Sequence, residues 1–179
     1  MIWVLAMTDL LVRPLQATDV AALARLFADL SDVSRGFYGP HPLTADFAQA
    51  LCAGAEVAGQ CRWLAASGDE LVAYLLLDDA SGSAELTRLQ GYGQPLPAAP
   101  LRLFAPLVAE AWQSRGVMNA VMPQLLQRLV QPQGCALLLL GGVQAGNGRA
   151  LGFYRKWGFA ELGRFHWQGV DNIDMLRLP

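Results

Sequence analysis

Asn147-Gly148-Arg149-Ala150-Leu151-Gly152-Phe153-Tyr154-Arg155-Lys156-Trp157-Gly158-Phe159 reads as a short amphipathic helix with both of its ends marked. Asn147 is a residue type that caps helix starts. Ala150, Phe153, Tyr154 and Trp157 recur at the spacing of one helical face, and Gly158 supplies a residue suited to the left-handed conformation that ends a helix. Phe159 then opens an extended run over 159–167, followed by Gln168-Gly169-Val170-Asp171 as a turn and a second run over 173–178. Upstream, residues 135–140 form a continuous apolar run with the character of a buried strand. Val121, Leu125, Leu126 and Leu129 have helical spacing before it. Residues 101–108 are also apolar but contain Pro106, which predicts a strand with a break or bulge.

Between that strand and that helix lies Trp112-Gln113-Ser114-Arg115-Gly116-Val117-Met118-Asn119. Backbone N–H groups at a helix start are free and point the same way, and the helix dipole adds to their attraction for an anion, so this turn is a candidate phosphate cradle. Pro123 does not suit a continuous helix from Gly116, since an interior proline costs about 3 kcal/mol. The helix therefore either starts later, capped by Asn119, or kinks at Met122.

The first half reads strand (residues 10–15, ended by Pro14), then helix (Thr18 as cap; Val20, Leu23, Leu26, Phe27 and Leu30 on one face), then a glycine- and proline-rich break at 34–42. A shorter helix capped by Thr44 follows. Residues 62–66 and 71–77 are apolar runs separated by Ser67-Gly68-Asp69-Glu70, which predicts an antiparallel hairpin. Residues 79–100 lack clear periodicity and read as an insertion, either a surface excursion or a lid over a substrate. Residues 1–8 read as an N-terminal extension. The sum is one α/β domain over 1–179, of α+β type, with a mixed, mostly antiparallel central sheet flanked by helices.

Thirteen Lys+Arg against fifteen Asp+Glu give a net charge of −2 with no basic run, which disfavours nucleic-acid binding. With 54% hydrophobic and 16% charged residues the chain has apolar surface to spare, and a homodimer would cover it. Cys52, Cys61 and Cys135 form no Cys-x-x-Cys pair, and His41 and His166 are the only histidines, so no metal site is expected and a reducing, cytoplasmic setting fits. The apolar residues 1–7 fall short of the roughly 20 that a membrane helix needs, so no membrane association is expected.

The pattern Asn-x-x-Ala-x-x-Phe-Tyr-x-x-x-Gly-Phe, about thirty residues after Gln-x-x-Gly, resembles the second half of the GNAT (Gcn5-related) N-acetyltransferases. The motifs cover residues 101–178, and residues 9–78 agree in the order of elements. The resemblance implies acetyl-CoA as cosubstrate and a small-molecule or peptide amine as acceptor, attacking the thioester directly in a cleft where strands 101–108 and 135–140 splay apart. Gln113, Ser114, Arg115, Gly116, Val117 and Met118 would hold the pyrophosphate, although Met118 stands where the family has a second small residue. Asn147 would bond the pantetheine arm, backbone N–H groups would polarise the carbonyl, and Tyr154 would protonate the departing thiolate.

Each assignment has a plainer alternative: Asn147 as a cap alone, Tyr154 as core packing alone. A general base is not marked, because the strand at 101–108 carries no carboxylate. Glu110, just after it, Glu85 in the insertion and His41 between two prolines are the candidates, with a water chain as the remaining option. His166 reads as structural, and Phe37, Tyr38, Trp63 and Tyr92 as core or as an acceptor pocket. Met118, Pro123 and the missing strand carboxylate keep a second reading open, a catalytically silent acyl-CoA-binding or structural module.

Overall fold

In the computed structural model, which describes residues 10–55, 60–93 and 95–179, the strands join in one sheet. They are β1 (Leu11–Pro14), β2 (Gln60–Ser67), β3 (Glu70–Asp79), β4 (Leu101–Val108), β5 (Ala136–Leu139), β6 (Val143–Gln144), β7 (Ala160–Trp167) and β8 (Val170–Arg177). Their order is β1-β2-β3-β4-β5-β8-β6, with β7 on β8. Every pairing is antiparallel except β4 with β5. The helices are α1 (Val20–Ala28), α2 (Asp32–Gly36), α3 (Ala45–Ala53), α4 (Ala84–Gly91), α5 (Val117–Leu125) and α6 (Gly148–Lys156). The mixed α/β architecture with a mostly antiparallel sheet is the one expected. The N-terminal extension lies outside the described residues.

The apolar runs explain the layering. All residues from Leu71 to Leu77 are buried, so β3 is covered on both faces, and all four residues of β5 are buried as well. Leu23, Leu26 and Phe27 of α1 meet Ala48, Leu51 and Cys52 of α3 in the main core, which extends to Val117, Met118, Val121, Met122 and Leu125 of α5. A smaller core joins Leu89 of α4 to Leu103, Leu138 and Leu176. Among the described residues no helix is long and apolar enough to cross a membrane.

Four local expectations change. Thr18 does not cap α1: a single turn at Ala17–Asp19 precedes it, where the Asp19 carboxylate accepts from Gln16 N at 2.8 Å and from both terminal Arg13 nitrogens at 2.7 Å. The segment 79–100 is not without structure. Its middle is α4, capped by the Ser83 hydroxyl accepting from Leu86 N at 3.1 Å. β4 has no bulge and pairs with β3 in unbroken register from Arg102 to Val108, with Pro106 opposite Leu75. Finally, α5 starts at Val117, directly after Gly116 (φ 82°), and runs through Pro123. Asn119 does not cap it; its Oδ1 accepts from Lys156 and Trp157 of the neighbouring α6 instead. Beyond Leu125 the coil widens into a π-helical turn, Leu126–Val130.

Helix α4 is fastened to the sheet by one close approach. A Cβ placed on Gly163 of β7 would meet the Tyr92 ring at 2.4 Å, and that ring is held by its hydroxyl, which donates to Asp174 Oδ2 at 2.8 Å. Gly163→Ala is therefore expected to cost about 1–3 kcal/mol by overpacking. It should lower the chemical-denaturation midpoint without changing the slope, and a midpoint equal to the parent's would show that Tyr92 is not held there.

Candidate active site

The β4–β5 ladder is short. It runs from Leu101 opposite Ala136 to Phe104 opposite Leu139, and its last bond is Leu140 N to Phe104 O at 3.0 Å. Beyond it β5 turns off at Gly141 and Gly142 (φ 75° and 66°), while β4 continues to Val108 on β3 alone. Strand alternation fixes what β4 offers to the gap. Pro100 and Phe104 bond towards β5, whereas Leu101 and Ala109 bond towards β3. Residues 106 and 108 therefore face the gap. Pro106 has no N–H to offer, so its position costs no ladder bond, and Val108 N–H is the strand amide that points into the opening.

Two cavities meet in this gap. One, of ≈ 360 Å³, extends between β4 and the starts of α5 and α6; the other, of ≈ 690 Å³, extends under α4 towards β7. Phe37, Tyr38, Pro106, Gly142, Gln144 and Tyr154 line both.

The smaller cavity is lined by unengaged donors. Ser114 (φ 59°) and Gly116 (φ 82°) are both left-handed, which turns the chain so that the amides of residues 114–118 precede or open α5. None of these five N–H groups donates to an acceptor among the described residues; the first helical bond is Asn119 N to Gly116 O. Arg149, at the start of α6, reaches the same loop, donating to Gln113 Oε1 at 2.8 Å and to Ser114 Oγ at 3.1 Å. Sequence reading missed Arg149 because its partners are more than thirty positions away. The Met118 side chain belongs to the main core and leaves its amide to the cleft, so the larger residue does not close the cradle.

Helix α6 brings in the other two expected residues. Asn147 is its cap, with Oδ1 accepting from Ala150 N at 3.1 Å; its Nδ2 has no acceptor among the described residues and the residue lines the smaller cavity. Tyr154 is buried on the inner face, its ring at 5.2 Å from both Phe153 and Phe159. Its hydroxyl makes no hydrogen bond among the described residues, and burial pushes its pKa well above the usual phenol value. The phenol stays protonated at any working pH and keeps a donor free.

The three base candidates separate. Glu110 lines neither cavity. It accepts from Ser31 N and Oγ at 3.1 Å, and hydrogen bonds from Ser34 and from Ser31 hold its carboxyl below the ordinary range, which makes it a tether and a poor proton acceptor. His41 is also outside both linings. Its Nδ1 donates to Pro42 O at 2.8 Å and its Nε2 accepts from Tyr38 and Tyr74, each at 3.2 Å; burial lowers its pKa, so the ring is neutral. Glu85, by contrast, lines the larger cavity. Of the four aromatic residues considered for an acceptor pocket, Phe37 and Tyr38 line both cavities, whereas Trp63 and Tyr92 line neither. His166 pairs with Asp171 at 2.8 Å on the exposed β7–β8 turn.

Comparison with known proteins agrees with this geometry. The family model described as Acetyltransferase (GNAT) family matches residues 23–159. Among curated proteins none matches the sequence. Similar solved structures include the GNAT domain of S. lividans PAT (21% identity, 94% of this chain and 89% of that one, TM-score 0.70). Arabidopsis thaliana NAA60 in complex with acetyl-CoA is another (17%, 95% and 98%, 0.67). A third is AAC(6')-Ib in complex with ribostamycin and coenzyme A (19%, 94% and 93%, 0.69). At these identities the structures speak for the fold. The family model spans most of the chain, over the cradle, the strand gap and the Tyr154 helix: the protein belongs to the GNAT acetyltransferase family.

Proposed function

We propose that this chain is an acetyl-CoA-dependent N-acetyltransferase acting on an amine acceptor by direct attack. The observation that carries the reading is the pairing of five unengaged amides at the start of α5 with an unengaged phenol in the strand gap, both on one continuous cleft. The residues fit the cosubstrate. The amides of 114–118 and the Arg149 guanidinium are donors for a pyrophosphate, and Asn147 Nδ2 is a donor for a pantetheine carbonyl. Val108 N–H is a donor for the carbonyl under attack, and Tyr154 for the sulfur. Acetyl-CoA supplies the activated thioester. The chain positions it, polarises its carbonyl, and provides a proton where negative charge develops. Met118 and Pro123, which in the sequence argued for a silent module, stand clear of these donors, Met118 in the core and Pro123 on the exposed face of α5.

The cradle is tested by substitutions at its two ends. Gly116→Val forces a β-branched residue into a left-handed position and is expected to abolish acetyl-CoA binding, measured by calorimetry. Met118→Ala is expected to lose about 2–5 kcal/mol of stability, as a buried methionine does, with the Kd of the folded protein unchanged. Weaker binding in Met118→Ala at full folding would make the side chain a ligand contact.

Tyr154→Phe keeps the ring between Phe153 and Phe159 and removes only the hydroxyl. It should lower kcat by on the order of 10²-fold or more at unchanged acetyl-CoA affinity. Acetyl-CoA at about 100 times its Kd should add roughly 2.7 kcal/mol of stability to either protein. Absence of any thermal shift at millimolar acetyl-CoA would overturn the reading, and equal kcat in both proteins would remove Tyr154 from the chemistry.

A further inference from the structure

The larger cavity carries one carboxylate whose second oxygen is free. Glu85, in the first turn of α4, is 7% exposed. Its Oε1 accepts from Gly141 N at 3.1 Å and from Arg88 at 3.4 Å, and its Oε2 accepts nothing among the described residues. Its ion pair with Arg88, at 3.4 Å, is the longer of the two that this guanidinium makes. The guanidinium is bound by two bonds to Asp174, Nε to Oδ2 at 2.9 Å and Nη2 to Oδ1 at 3.0 Å, and it lies flat over Phe165 at 3.9 Å. Asp174 is 1% exposed, so that pair is fixed and internally compensated. Two buried carboxylates thus share one guanidinium, and the oxygen left without a partner among the described residues is Glu85 Oε2. A buried carboxylate whose counter-charge is shared is costly unless a ligand adds a second one.

The mouth of the same cavity is apolar. Phe37 (43% exposed), Trp167 (65%) and Val170 (37%) line it, and they are three of the seven large apolar side chains that stand exposed among the described residues. Their clustering on one rim marks a surface meant to be covered. Among the described residues Glu85 has no second cavity-lining carboxylate beside it, and a second one is the feature that a polycationic acceptor would need.

Taking the acetyl-transfer reading as its basis, we infer that the acceptor is a monocationic amine with an apolar body, bound with its ammonium on Glu85 Oε2 and its body against Phe37, Trp167 and Val170. Glu85 takes the proton that the ammonium must lose. The freed nitrogen then forms its bond to the acyl carbon, the carbon–sulfur bond breaks and the sulfur receives the Tyr154 proton; the second proton, which the acylated nitrogen sheds as the amide forms, returns to the Tyr154 phenolate, and Glu85 passes its proton to solvent, so that charge and atoms balance. The cavity, at ≈ 690 Å³, has room for a one-ring alkylamine.

The test compares phenethylamine, spermidine and kanamycin as probes, by calorimetry on the coenzyme A-bound protein and by thiol release with acetyl-CoA. Phenethylamine is expected to bind at least tenfold more tightly than spermidine or kanamycin and to be acetylated. Glu85→Gln should abolish phenethylamine binding and leave the Kd for acetyl-CoA unchanged. Trp167→Ala, at an exposed position that folding does not need, should raise the phenethylamine KM several-fold at constant kcat. Equal or tighter binding of a polycation, or Glu85→Gln with unaltered amine binding, overturns the inference, as does absence of any amine binding to a protein that still binds coenzyme A. Failure to bind acetyl-CoA at all strikes the underlying reading instead.

Discussion

The structure turns on a ladder that stops. After Phe104 and Leu139 the only parallel pairing among the described residues ends, and every backbone group that would have extended it must find other use. Two residues make the ending stable. Pro106 has no donor on the side that loses its partner, and Gly141, the first residue to leave the ladder, gives its N–H to Glu85. The same bond that satisfies the departing strand therefore draws a carboxylate from α4 up to the gap. Had β5 continued along β4, Val108 N–H would be consumed in the sheet, the two cavities would not meet, and Tyr154 would face a closed wall.

The gap also separates charge. On the α5 side the groups offered include five unengaged amides, the Asn147 side-chain amide and the Arg149 guanidinium, all donors. On the α4 side the free group is a carboxylate oxygen. Between them stands a neutral phenol. An anionic arm and a cationic nucleophile would be drawn into opposite cavities and brought to one point. Low dielectric around a buried site strengthens each attraction over its value in water.

What the sequence disclosed followed from local signals. Helix α6 was legible because cap, apolar face and terminating glycine all lie within thirteen residues, and the β2–β3 hairpin because two apolar runs flank a turn cluster. Helix α4 was not: eight residues with one fully buried apolar position, Leu89, give hardly any periodicity, and its fixing comes from Tyr92 and Arg88 reaching Asp174 more than eighty positions later. Pro106 was read as a break because a sequence shows that a donor is missing and not which side of the strand lacks a partner. The second small residue expected after Gly116 was unnecessary for a similar reason. At the second position of a helix the side chain and the amide point apart, so Met118 fills the core while its N–H remains on the cleft.

The plain and the functional readings of the α6 residues turn out to be compatible, and their combination matters for chemistry. Asn147 caps the helix with Oδ1, and that bond fixes the direction in which Nδ2 points. Tyr154 packs between two phenylalanines, and that packing fixes where its hydroxyl stands. A donor already held in place by a structural contact needs no reorganisation when charge develops next to it, which is the condition under which such donors are most effective. Burial raises the phenol's pKa, so the group stays protonated and remains a hydrogen-bond donor while charge develops beside it. The packing that makes Tyr154 look like an ordinary core residue is thus also what would hold its hydroxyl in place for the proton transfer proposed above.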